Sequence, residues 1–174
     1  MQTRFFPLFM ILPLVMAAAV SCSKGTPKTL VPADYSGWGT TTTTELNYPI
    51  PGHENNYRKI FINDTGFMVD VRDSGGKILY DYPDGTVIIK EIYQGMSITP
   101  GSKPMVLTVM IKDRENPKAR GGWLWIVKNL ASGDENIISQ EFCITCHTNA
   151  NEPHPYGDGN KDSIFRDYAF FPVK

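Results

Sequence analysis

At 174 residues with 41% apolar side chains, the chain is long enough to build one globular domain with an ordinary core once a leader is removed. Its 17 basic and 18 acidic residues nearly cancel, which sets nucleic acid aside as a partner, because proteins that bind it concentrate positive charge.

The first residues, Met1-Gln2-Thr3-Arg4, lead into an almost unbroken apolar run over 5–20, closed by Ser21 and Cys22. That is the order of an export signal: a basic start, a short apolar stretch, then small residues. A membrane-spanning helix needs about 20 apolar residues; this run is shorter and is broken by Pro7 and Pro13. Ala19-Val20-Ser21-Cys22 resembles a bacterial lipobox, with residues 1–21 removed and Cys22 lipidated as the new N-terminus. A plain secretory signal with Cys22 incidental is the alternative. Either places the mature chain outside the cytoplasm, and Ser23 after Cys22 resembles outer-membrane sorting on the periplasmic side of a Gram-negative-type envelope.

Residues 22–34 are rich in Ser, Lys, Thr and Pro, a composition suited to a flexible tether before a domain over 35–174. The threonine run 40–44 fits an extended segment or a solvated loop equally well. Strands are expected at 58–62, 86–93, 105–111 and 123–127, where β-branched and aromatic residues cluster. Asn63-Asp64-Thr65-Gly66 and Tyr82-Pro83-Asp84-Gly85 read as turns between them. Four strands joined by polar turns, with no long helical pattern between them, predict an antiparallel sheet in a mainly β, α+β domain. The acidic Asp134 and Glu135 suggest the first turn of a short helix over 132–144 that leads into the next motif.

That motif is Phe142-Cys143-Ile144-Thr145-Cys146-His147, which contains the C-x-x-C-H sequence of c-type haem attachment. Thiols three positions apart reach the two vinyl groups of one porphyrin edge, and the following imidazole is thereby delivered to the iron. Haem c, one per chain, is the predicted cofactor, with Cys143 and Cys146 as its thioether residues and His147 as iron ligand. A redox dithiol, a regulatory disulfide and half of a zinc site compete; the sequence has no second cysteine pair and no suitably spaced histidine pair. With Cys22 lipidated, all three cysteines have a use.

A second protein ligand would close the iron, whereas an empty sixth position admits small molecules. Met96, Met105 and Met110 have the chemistry but read as core filler. His53 and His154, beside Gly or Pro, read as exposed or loop-bracing imidazoles. In the strand at 86–93, alternation puts Ile88, Lys90 and Ile92 on one face, with Val87, Ile89, Glu91 and Tyr93 on the other. An ammonium on an apolar face either snorkels to the edge or has a use in a pocket. The segment 158–162 is turn-like and lacks the glycine and glutamate of a calcium loop.

From about Tyr57 onward the chain resembles the cytochrome P-460 family, which includes the cytochrome c′-beta proteins. The matching pieces are Arg58-Lys59-Ile60-Phe61-Ile62-Asn63, Tyr82-Pro83-Asp84-Gly85-Thr86-Val87-Ile88-Ile89-Lys90-Glu91, Trp123-Leu124-Trp125, the C-x-x-C-H and Asp167-Tyr168-Ala169-Phe170. The resemblance implies a mainly antiparallel β domain that pairs as a homodimer, with a five-coordinate haem c against the sheet and small-ligand chemistry. In hydroxylamine-oxidising members a strand lysine is joined covalently to the porphyrin edge, and Lys90 occupies the matching position. Such members also carry an acidic residue above the iron; Thr108 stands there, and a threonine hydroxyl is a poor base near neutral pH. Three functions follow as expectations: oxidation of hydroxylamine or nitric oxide with electrons passed to a soluble cytochrome; non-catalytic capture or sensing of nitric oxide under aromatic caps such as Phe61; and plain electron transfer by a lipoprotein.

Overall fold

The computed structural model describes residues 29–139 and 141–173; the expected leader and Cys22 lie outside them. Strands β1 (Gly39–Thr40), β2 (Asn56–Ile62), β5 (Val87–Gln94), β6 (Val106–Lys112), β7 (Trp123–Asn129) and β8 (Glu135–Ile137) form one sheet in that spatial order. Every pairing is antiparallel. The domain is mainly β, with two short α-helices, α1 (Asp64–Phe67) and α2 (Glu141–Thr148). All four strands expected from the sequence are present.

The turn-prone Asn63-Asp64-Thr65-Gly66 becomes the single turn α1, because the Asn63 side chain caps it by accepting from the Gly66 N–H. Between α1 and β5 the chain makes a separate hairpin of β3 (Asp70–Ser74) and β4 (Lys77–Asp81). Gly75 and Gly76 at its tip both have positive φ, 66° and 84°, as a tight two-residue turn requires.

The helix expected over 132–144 is a correction. Residues 135–137 pair with β7 as β8, and helix begins only at Glu141. Glu135 does not serve as a helix-start charge: it bonds Lys128 at 3.0 Å and accepts the Leu30 and Val31 amides. That contact also draws the expected tether into the domain, since Val31 is buried beneath the sheet beside Val87, Ile89, Leu107, Val109 and Ile126.

The opposite sheet face packs Ile62, Ile88, Met110, Trp123 and Trp125 against Ala169 and Val173 of the C-terminal segment, with Cys143 and Ile144 of α2 alongside. The sheet is thus covered on both sides, and the second face carries the site. Ile89, fully buried on the first face, tests the division. Ile89→Ala should cost about 2–5 kcal/mol in chemical denaturation while leaving any cofactor spectrum in place.

Candidate haem site

Cys143, Cys146 and His147 stand at positions i, i+3 and i+4 of α2 and so share one face of the helix. That face opens into a cavity of ≈ 1120 Å³ of free space, open solvent at its mouth included. The floor is the second sheet face, including Ile60, Ile88, Met110 and Trp125.

His147 is held from three sides. Its Nδ1 donates to the Tyr168 carbonyl at 2.8 Å, and its ring lies edge-on to Trp125 and Phe170, with centroids 4.9 and 5.2 Å away. A carbonyl can only accept, so the Nδ1 bond fixes the proton there and leaves Nε2 as the free donor atom for a metal. Burial, seconded by the nearby Lys90 charge, lowers the imidazole pKa to about 4, so the ring is neutral, as a metal ligand must be. Burial pushes both thiols upward, opposed by Lys90.

Lys90 lines the same cavity. It does not snorkel. Its register partners are Ile60 on β2 and Thr108 on β6, and its Nζ lies 2.9 Å from His53 Nε2. Burial, with Arg58 adding repulsion and the two thiols opposing, lowers its pKa to about 8. Glu91 turns to the other face and accepts from the Tyr35 and Tyr93 hydroxyls at 2.9 and 2.6 Å, so it is no substitute for a missing acid. Thr108 lines the cavity beside Lys90, and among the described residues no Asp or Glu does.

Two expectations change here. His53 is a wall of the cavity, and burial followed by the Lys90 charge lowers its pKa to about 3. Only its loop position was readable from the sequence; its contact with a residue 37 positions away was not. Phe61 is not a cap. It is adjacent in register to Ile89 and stacks edge-on with Tyr35 on the opposite face, and the aromatic walls include Phe142, Phe170 and Phe171. His154 braces its own loop, with its ring stacked on Tyr156. Met96 and Met105 are exposed and do not line the cavity, while Met110 does, within the core.

Arg58 fixes the cavity's edge. It is buried and donates to the Leu46 and Tyr48 carbonyls at 3.0 and 2.6 Å, tying the 46–48 segment to β2. Two thiols, a neutral imidazole with one free nitrogen and an apolar chamber in front of them suit a porphyrin. The Asp158 turn is tied to Arg166, and no cluster of three metal-ligating side chains occurs among the described residues.

A family model for cytochrome P460 matches residues 32–170, most of the chain. No curated protein matches it.

Proposed function

The chain belongs to the cytochrome P460 family and is a haem protein, and from that premise we propose that it is an exported haem c protein with an open iron position that captures small nitrogen compounds, nitric oxide or hydroxylamine. The observation that carries this reading is the composition of one cavity. The attachment face of α2 meets Lys90 and Thr108 there, with no Asp or Glu among the described residues of the lining.

When bound, the haem supplies an iron that takes small ligands and exchanges electrons. Cys143 and Cys146 would hold it and His147 would ligate it. With a pKa of about 8, Lys90 keeps its proton at neutral pH and presents N–H donors at the cavity wall. The Thr108 hydroxyl can orient a ligand or a water but does not take up a proton near neutral pH. His53, with a pKa of about 3, is too weak a base to take its place. These side chains therefore favour holding a ligand over stripping its protons, which supports capture ahead of hydroxylamine oxidation. Oxidation is the second reading, and the cavity position of Lys90, matching the porphyrin-linked lysine of oxidising relatives, is what favours it.

The same proposal includes the setting. The apolar run before Cys22 supports removal of residues 1–21 and a lipid on Cys22, holding the protein on the periplasmic side of the envelope, at the outer membrane. A soluble cytochrome as electron partner and pairing as a homodimer rest on the family resemblance. No helix among the described residues is long and apolar enough to cross a membrane.

The test is Thr108→Glu in haem-loaded protein. Wild type should bind nitric oxide but turn over hydroxylamine negligibly with an electron acceptor, and the variant should gain turnover on the order of 10²-fold. Efficient turnover by wild type would overturn the capture reading; no gain in the variant would remove the missing base as its cause.

A further inference from the structure

We infer that Asp167 is a positioning residue for the His147 imidazole, acting through the backbone carbonyl of Tyr168, and that it would thereby set the reduction potential of an iron held by that ring. The inference rests on His147 being the iron ligand, as in the reading above.

The Asp167 carboxylate is buried and accepts four hydrogen bonds. Lys112 Nζ approaches its two oxygens at 2.7 and 2.8 Å, Trp123 Nε1 lies at 3.2 Å and the Tyr82 N–H at 3.1 Å. These donors come from the end of β6, the start of β7 and the turn before β5. Lys112 and Trp123 face each other in register, and the ammonium sits 4.8 Å from the indole ring centre.

The backbone held by this cluster is strained. Asp167 and Tyr168 are consecutive non-glycine residues with φ of 48° and 69°, in the left-handed region that side chains disfavour. Such a dipeptide persists only where its surroundings over-determine it. The Asp167 carboxylate supplies one restraint. Asn151 Oδ1 supplies another, accepting the Arg166 and Tyr168 amides at 2.9 and 3.1 Å. Gly121 supplies a third, because a Cβ there would stand only 2.7 Å from the Tyr168 ring. The product of this constraint is the Tyr168 carbonyl, which receives the His147 Nδ1 proton at 2.8 Å.

A hydrogen bond at Nδ1 fixes the ring's orientation and makes the imidazole a stronger donor to a metal. A stronger donor favours the more oxidised iron. A buried ion pair is weak support for stability in itself; here its placement beside a strained acceptor gives it a use in ligand orientation.

The test uses the haem-loaded full chain in three variants: Asp167→Asn; Lys112→Met with Asp167→Asn, which leaves no unpaired buried charge and carries the test if the single variant does not fold; and Glu91→Gln, a buried acid on the other sheet face. The readouts are the iron–imidazole stretching band of the ferrous protein and the midpoint potential. Both Asp167 variants should lower the band frequency and move the potential to more positive values, while Glu91→Gln lowers thermal stability and moves neither readout. A wild-type band and potential in the folded double variant would overturn the inference, as would an equal displacement in Glu91→Gln. Absence of the band from wild type would overturn the ligation reading itself, and this inference with it.

Discussion

Cys143→Ser combined with Cys146→Ser is expected to yield colourless protein at apoprotein mass from a host equipped to ligate haem, whereas wild type emerges coloured and heavier by one porphyrin. Intact mass and haem staining after denaturation measure the difference, and the effect should be a loss of essentially all covalent cofactor. The reason lies in the spacing on α2: with both thiols on the face that opens into the cavity, no other described thiol is available to form a thioether. Each single substitution should leave one bond and a lower yield. His147→Ala separates the two roles of the motif, since it spares the thiols. It should leave porphyrin attached and remove the imidazole whose Nδ1 is anchored to Tyr168. Colourless wild-type protein would overturn the haem c reading outright.

The sheet and half of the site were legible because they depend on local periodicity. The alternation Ile88, Lys90, Ile92 required only that 86–93 be a strand; Thr108 came from the family resemblance, and the antiparallel register sets it against Lys90. The β3–β4 hairpin carried a readable Gly75-Gly76 turn, but its first strand is exposed along its whole length, so no apolar alternation marked it. What the chain assembles at long range stayed hidden. His53 reaches Lys90 across 37 residues, and Asp167 reaches Lys112 across 55; neither partner pattern repeats along the sequence. Phe61 was misassigned for a related reason: aromatic character identifies a cap by type, whereas the strand's phase decides its face, and in β2 it is Ile60 that shares the face of Lys90. Acidic Glu135 resembled a helix start because a carboxylate suits any cluster of free amides, and here the amides belong to Leu30 and Val31.

Lys90→Met should stabilise the cofactor-free protein at pH 7 by about 3 kcal/mol, because the ammonium's displacement from its ordinary value near 10.5 to about 8 corresponds to roughly that cost. The pH dependence follows from proton uptake. Below pH 8 folded and unfolded chains both hold the Lys90 proton, and the full burial cost weighs on wild type. Between 8 and 10.5 the folded chain releases the proton while the unfolded chain keeps it, so wild-type stability gains with rising pH and its gap to Lys90→Met narrows. Histidines give the opposite end of the profile. His53 and His147 stay neutral when folded down to about pH 3 and 4, so both proteins should lose stability as pH falls from 6.5 toward those values. Denaturant titrations at pH 7, 8.5 and 10 check the first trend; equal stability of the two proteins at pH 7 would mean that Lys90 is not held at a cost. In the haem-loaded protein the same substitution should displace the Soret band of the reduced form, since it removes the one lysine in the cavity wall among the described residues. A protein made less stable at neutral pH by a residue that its cofactor then uses is the pattern expected of a functional lysine, and a spectrum unmoved by Lys90→Met would leave that residue with a cost and no use.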